Sequence, residues 1–141
     1  PQNDYQKKMR ERSVKVQNHI GSIPIEKTRK MISLVPEGKN YKALPEEYQG
    51  IYKYHEALTR YHSKKPSNTI NTGHRSHFHY KWNRIPTVRE SARLQSFPDD
   101  FIFYGNKSQQ YRQVGNAVPP MLGQVVAEKL KQYLKGQDDV E

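Results

Sequence analysis

The run Arg84-Ile85-Pro86-Thr87-Val88-Arg89-Glu90-Ser91-Ala92-Arg93-Leu94-Gln95-Ser96-Phe97-Pro98 decides how this chain is read. Thr87 and Glu90 have the spacing of a capping box. A threonine hydroxyl there accepts the Glu90 N–H, and the Glu90 carboxylate returns to the Thr87 N–H. The spacing predicts a short helix from Val88 to about Ser96, stopped by Phe97-Pro98-Asp99-Asp100.

Downstream, Phe101 and Phe103 alternate in a short apolar segment that ends at Gly105. After a polar stretch, Val118-Pro119-Pro120 opens a last helix. Leu122, Val125, Val126, Leu130, Tyr133 and Leu134 form one stripe along it. Gly136 is its expected C-cap, and 137–141 are an acidic frayed tail. Upstream, Phe78, Tyr80 and Trp82 alternate with His77, His79 and Lys81, which predicts a strand with one packed aromatic face and one exposed polar face. Thr69 to Thr72 has strand character and ends at Gly73, after the turn signal Lys64-Lys65-Pro66-Ser67-Asn68. Proline sets the start of two further helices. One runs from Pro24 to about Leu34, with Ile25, Thr28, Ile32 and Val35 near one face, and stops at Pro36-Glu37-Gly38. The other begins at Leu44-Pro45, its acidic pair Glu46-Glu47 suiting a helix N-terminus. Ser13 to Asn18, with Val14 and Val16 on one face, reads as a short strand, and residues 1–12 as a polar, basic linker.

Composition limits the classes of function. The chain has 141 residues, a formal net charge of +10 and only 33% hydrophobic residues. Its mean hydropathy is −1.06 and its pI about 9.7. Apolar content is low for a self-sufficient core, yet aromatics reach 11%, with ten tyrosines, which disordered chains lack. No run of about 18 apolar residues is long enough to span a membrane. The polar, charged start reads as no signal peptide, and Pro1 in place of Met as a trimmed product. Cysteine is absent. That excludes disulfides, thiolate metal sites and a cysteine nucleophile in these residues. The positive charge favours a polyanionic partner, nucleic acid above all, through counterion release. A membrane surface fits less well, because no strongly amphipathic basic helix is present.

No Gly-x-Ser-x-Gly elbow and no Gly-x-Gly-x-x-Gly loop occurs. His74, His77 and His79 cluster, but without cysteine and without carboxylates at metal spacing (Glu56 and Glu90 lack it) no metal site is assigned. The segment His74 to Arg84 holds three histidines, Arg75, Lys81, Arg84 and three aromatics. Those residues suit phosphate and base-edge contacts, and they equally suit a packed strand with a solvated face.

Motif resemblance moves the reading toward the first. The run Arg84 to Pro98 resembles motif IX of the DNA (cytosine-5) methyltransferases, and Gln113-Val114-Gly115-Asn116-Ala117-Val118-Pro119-Pro120 resembles their motif X, in the family's order and with Tyr111-Arg112 leading in. Lys65-Pro66-Ser67-Asn68-Thr69-Ile70 resembles a strand of the family's target recognition region. Pro1-Gln2-Asn3 echoes motif VIII, with the expected arginines displaced to Arg10 and Arg12. The resemblance covers residues 65–134 well and the rest loosely.

The resemblance implies an α+β fold: a small DNA-recognition domain plus a C-terminal helix docking on a Rossmann-like catalytic domain that is not in this chain. It divides the chain into a connector at 1–22, a target recognition domain at 23–105 ending with motif IX, and the motif X loop and helix at 106–141. In the family a cysteine thiolate adds to C6 of a flipped cytosine, making C5 nucleophilic toward the methyl group of S-adenosylmethionine. With no cysteine, this chain is expected to be inactive alone and to contribute no catalytic residue. It is expected to complete the cofactor pocket with Asn116, Ala117 and Val118, with Gly115 allowing close backbone approach. S-adenosylmethionine is then bound only with the catalytic part. Expected DNA contacts are Thr69, the position matching the family's recognition-region threonine, with its hydroxyl available to a phosphate near the flipped base, and His74, Arg75, His77, Lys81 and Arg84. Arg84, Arg89 and Arg93 are expected to organise the motif IX region internally, at least one of them buried in an ion pair. The expected partners are double-stranded DNA and a cysteine-containing catalytic subunit, or the missing N-terminal part of the same enzyme. The expected setting is a bacterial cytoplasm, at the nucleoid, in restriction-modification. A stand-alone DNA-binding or regulatory protein built on the same scaffold is the alternative.

Overall fold

The structure is a computed structural model, and it describes residues 1–49, 58–73 and 77–138. In chain order the elements are α1 (Asp4–Arg10), α2 (Glu26–Leu34), a 3-10 turn (Tyr41–Ala43), α3 (Glu46–Gln49), β1 (Thr59–Arg60), β2 (His77–Phe78), α4 (Val88–Leu94), α5 (Lys107–Asn116) and α6 (Pro120–Asp138). The strands pair in parallel, Thr59 opposite His77 and Arg60 opposite Phe78. Helices with a small two-stranded sheet agree with the α+β class.

Two apolar clusters organise the chain. The first gathers Met31, Ile32 and Val35 around α2 with Tyr41, Leu44, Leu58 and Phe78. The second gathers Val88 and Ala92 of α4, Phe97, Phe103, and Tyr111 and Val114 of α5. Phe97, Phe101 and Phe103 meet with centroids 5.0–5.1 Å apart in tilted and edge-on geometries, an arrangement aromatic quadrupoles favour. Arg60 staples the first cluster to its surroundings. Its side chain is buried and donates to the carbonyls of Val35 (2.6 Å), Ile32 (2.5 Å) and His79 (3.0 Å). Two of those carbonyls close the end of α2, where helix geometry leaves acceptors without partners.

The helix from Pro24, the one after Pro45 and the motif IX helix lie where the sequence places them, and the capping box at Thr87 is complete. Other expectations are corrected. Ser13 to Asn18 is no strand: Val14 and Val16 are exposed, and Asn18 turns to a φ of 58°. The segment 1–22 is more than a linker. Met9 is buried, the Asp99 N–H donates to the Met9 carbonyl at 2.7 Å, and the Tyr5 hydroxyl donates to the Arg93 carbonyl. Asn18 exchanges two hydrogen bonds with the Phe103 backbone, at 2.8 and 3.0 Å. Ile25 is exposed because it caps α2 from outside, and Met31 takes the buried place.

Thr69 to Thr72 is not a strand. The carbonyl and amide at Asn71-Thr72 lie instead against Gly115, where an added Cβ would come within 2.5–2.6 Å of them. The aromatic strand stops at Phe78. The His79 ring accepts the N–H groups of Lys81 and Trp82, each at 3.0 Å, and folds the chain back. Phe78 is therefore buried, whereas Tyr80 and Trp82 are exposed. The polar stretch before motif X is helical, because Asn106 and Gln109 form a second capping box. Gly136 does not cap α6, which continues to Asp138.

Candidate functional site

Motif IX forms a hub around α4. The Thr87 hydroxyl accepts the Glu90 N–H at 3.1 Å, and Glu90 accepts the Thr87 N–H at 2.7 Å. Arg84 clamps the same carboxylate with two 2.7 Å bonds. Burial alone would raise the Glu90 pKa, but the bonds from Arg84 and the Thr87 N–H outweigh it and hold it at about 2. His79 stands 3.8 Å away, and its own pKa is lowered, chiefly by burial.

On the far side of α4, Arg89 and Asp99 are both fully buried, 3.9 Å apart. Arg89 also donates to the carbonyls of Gln17 (3.0 Å), Pro98 (2.9 Å) and Phe101 (2.5 Å). Arg93 grips Asp99 with bonds of 2.8 and 2.5 Å. Burial pushes the Asp99 pKa up, and the Arg93 bonds with the charges of Arg93 and Arg89 pull it below the usual carboxylate value. The expectation of a buried motif IX ion pair is met.

The hub positions motif X. The Gln95 side chain donates to the Val114 carbonyl at 3.0 Å, and the Ser96 hydroxyl accepts the Met121 N–H at 3.1 Å. Ser96 holds a φ of 60° to do so, a conformation uncommon outside glycine. Gly115 does allow a close backbone approach, and the group that approaches is the Asn71-Thr72 backbone. Asn116 ends α5, exposed, beside a hollow with Tyr104, Gln109, Arg112 and Gln113. Ala117 is half-buried and Val118 exposed. Along α6, Leu122, Val125, Val126, Leu130, Tyr133 and Leu134 are all more than half exposed.

The expected DNA-contact residues have separate placements. Thr69 is exposed and His77 half-buried, stacked on Tyr61 with centroids 4.9 Å apart. Both line one polar hollow together with Asn40, Ser67, Asn68 and Asn71. Lys81 is exposed, its ammonium 5.1 Å from the Trp82 ring centroid. Arg84 is turned inward onto Glu90, so its charge is matched within the hub. His74 and Arg75 lie outside the described residues. Sequence reasoning missed Asn40 and Asn71, whose signal was an asparagine opening a turn. Among the described residues no group of three or more His, Asp or Glu side chains is placed to hold a metal ion, and no helix is long and apolar enough to cross a membrane.

A profile of the C-5 cytosine-specific DNA methylases matches residues 2–132. The chain belongs to that family. It is similar to the type II methyltransferase M1.HphI of Haemophilus parahaemolyticus, 50% identical over 97 residues that cover 69% of this chain and 26% of that protein. It is also similar to the type II methyltransferase M.DdeI of Desulfomicrobium norvegicum, 32% identical over 96% of this chain and 37% of that protein. A shorter match, 54% identical over 40% of this chain, is to the DNA (cytosine-5)-methyltransferase 1A of rice, Oryza sativa, where it covers 4% of the length. The chain thus spans about a quarter to just over a third of the first two relatives.

Proposed function

We propose that this chain is the DNA-recognition and cofactor-pocket-completing portion of a DNA (cytosine-5) methyltransferase of restriction-modification type, working on double-stranded DNA in a bacterial cytoplasm. The observation that carries the reading is the contrast around motif X: the hub fixes its backbone, while Asn116, Val118 and the α6 stripe face outward. A motif held rigidly with its functional face open suits half of a shared pocket. Residues 23–105 would serve recognition. Residues 106–141 would close the cofactor pocket and dock α6 on a cysteine-bearing Rossmann-like part, whether a separate subunit or the N-terminal part of the same enzyme.

Bound S-adenosylmethionine supplies an electrophilic methyl group. The residues here suit its recognition, because an asparagine both donates and accepts and lies beside the exposed Val118. Asn116 would bond the cofactor, with Ala117 and Val118 packing beside it. With no cysteine, the chain alone adds no thiolate to the cytosine ring. The purified chain is expected to transfer no methyl group from S-adenosylmethionine to duplex DNA, and a catalytic chain carrying the family's cysteine and cofactor glycine loop is expected to form a stable complex with it and restore transfer. Transfer by this chain alone would overturn the reading. DNA binding with no complex would favour the stand-alone DNA-binding protein. In the assembled enzyme, Asn116→Ala should weaken cofactor binding by about 1–2 kcal/mol, the worth of a buried hydrogen bond, and leave DNA affinity nearly intact. Calorimetric titration of the cofactor into both complexes measures this.

A further inference from the structure

Helix α4 closes on a turn that favours glycine and holds a serine. The Phe97 N–H donates to the Ala92 carbonyl at 2.9 Å and the Ser96 N–H to the Arg93 carbonyl at 3.1 Å, the bond pair that ends a helix around one left-handed residue. Ser96 is that residue, at a φ of 60°. Glycine takes this conformation without a Cβ clash, and any other side chain makes it costlier. The turn itself therefore gives no reason for a serine.

Helix α6 gives one. Its first turn has N–H groups that no carbonyl of its own can reach. Pro119 stands at its cap, its carbonyl taking the Gly123 N–H at 3.0 Å, yet a proline side chain has no oxygen to cap with. Pro120 has no N–H at all, so the first orphan donor is that of Met121. It donates to the Ser96 hydroxyl at 3.1 Å, across a sequence separation of 25 residues, and Ser96 is buried. The neighbouring Gln95 side chain donates to the Val114 carbonyl at 3.0 Å. Two consecutive residues at the end of α4 thus grip both ends of the stretch 114–121, and Asn116, Ala117 and Val118 lie between the grips. Among the described residues of α6, those from Met121 to Lys135 are exposed apart from Gly123, so packing within the chain does little to fix the course of the helix.

We infer that Ser96 is a positioning residue: its hydroxyl sets the direction in which α6 leaves the hub, and with it the arrangement of the open motif X segment that meets the cofactor. Backbone strain at Ser96 is retained because glycine, which relieves it, carries no oxygen for Met121. The part that concerns the cofactor rests on the reading of motif X as half of a cofactor pocket. The part that concerns α6 does not.

Ser96→Gly and Ser96→Ala separate the strain from the bond. Both remove the hydroxyl, and only glycine relieves the backbone. The chain has no cysteine, so Ser108→Cys on the exposed surface of α5 and Gln132→Cys on α6 take spin labels at those two places alone. Double electron–electron resonance then reads the distance between α5 and α6 in the isolated chain. A narrow distribution is expected with Ser96 and a clearly broader one with either variant, while urea denaturation finds the glycine variant more stable than the alanine one. In the enzyme assembled with a cysteine-bearing catalytic chain, Ser96→Gly is expected to raise the S-adenosylmethionine dissociation constant about fivefold. A segment that holds its binding arrangement only part of the time loses apparent affinity by that fraction. An unchanged distance distribution in the glycine variant, which keeps the turn whatever becomes of the alanine one, overturns the positioning role. A broader distribution with unaltered cofactor affinity overturns the link to the cofactor and leaves Ser96 a helix cap only. An unmutated assembly that binds no cofactor overturns the reading of motif X, and the distances in the isolated chain then decide the direction of α6 on their own.

Discussion

Helices α4 and α6 both carry apolar residues at helical spacing, yet they stand in opposite surroundings. In α4, Val88, Arg89, Ser91 and Ala92 are buried, and every charge near them is matched. In α6, all described side chains from Met121 to Lys135 are exposed apart from Gly123. A chain with 33% hydrophobic residues has concentrated its burial in α2, α4 and α5 and left its longest helix uncovered. The difference teaches that low apolar content here goes with a fold that buries one amphipathic helix and leaves another uncovered. The hub folds on charges and backbone bonds as much as on methyl groups, and α6 carries an apolar face whose proposed cover is another polypeptide.

Breaking the hub should have the largest effect. Asp99 is the single carboxylate shared by Arg89 and Arg93. Asp99→Ala strands the fully buried Arg89 guanidinium without its counter-charge, which should cost about 3–5 kcal/mol, much of the roughly 5–15 kcal/mol that holds a small domain together. Urea denaturation measures it. A loss under about 1 kcal/mol would mean that the three carbonyls around Arg89 suffice.

The Arg84–Glu90 side of the hub predicts an acid response. Glu90 is held at about 2 in the folded chain, below the usual 4.5 for a glutamate, so the folded state keeps its proton off more strongly than the unfolded state. Its contribution is fully present above about pH 4.5 and is lost as pH falls toward 2. At about 1.4 kcal/mol per pH unit that contribution is on the order of 3 kcal/mol. Glu90→Gln should remove most of it at neutral pH and flatten the stability profile between those two pH values. Chemical denaturation across pH tests both, and an unchanged acid slope would assign the acid sensitivity to Asp99.

How far these features were legible depends on their range. The capping box at Thr87 and the proline starts of α2 and α3 were readable, because each is fixed by residues a few positions apart. Arg60 was not readable. It looks like one more cation, and only the tertiary fold brings three carbonyls around it. The second capping box, Asn106 to Gln109, was legible in principle but masked by the polarity of the helix it starts. The two-residue strands failed for a different reason: the period-2 pattern of Phe78, Tyr80 and Trp82 promises a strand, and the His79 ring bonds end it after one step. Of the expected DNA contacts, Thr69 and His77 share a hollow, whereas Arg84 was recruited inward by Glu90. Cationic residue type does not distinguish a ligand-facing arginine from an organising one.

A smaller effect isolates the cap itself. Thr87→Ala removes the oxygen that accepts the Glu90 N–H, and with it the 2.9 Å contact to His19 Nδ1. About 1 kcal/mol should be lost, visible as a lower urea midpoint with an unchanged slope. Thr87→Ser should recover most of it, because a serine caps as well and loses only a methyl group. A serine variant as unstable as the alanine one would shift the weight from the cap to packing of that methyl.

The smallest effect on stability should come from the most drastic change in polarity, and that inversion is the sharpest test of the contrast between α4 and α6. Val126 and Leu130 are 51% and 58% exposed on α6. Replacing both with lysine removes apolar surface that the chain itself does not bury, and lysine is at least as good a helix former as valine or leucine is in an exposed position. The stability of the isolated chain should therefore change by no more than about 0.5 kcal/mol, as for ordinary surface substitutions. The same pair should abolish assembly with a cysteine-bearing catalytic chain, because burying two ammonium groups in an apolar interface is far costlier than burying two aliphatic side chains. Sedimentation of the mixed chains reads assembly, and thermal melting of the isolated chain reads stability. Loss of stability comparable to that of Asp99→Ala would show α6 packing on its own chain, and unimpaired assembly would show that its partner docks elsewhere. Only an isolated chain that melts as before and a complex that no longer forms fit a helix whose hydrophobic face belongs to a partner.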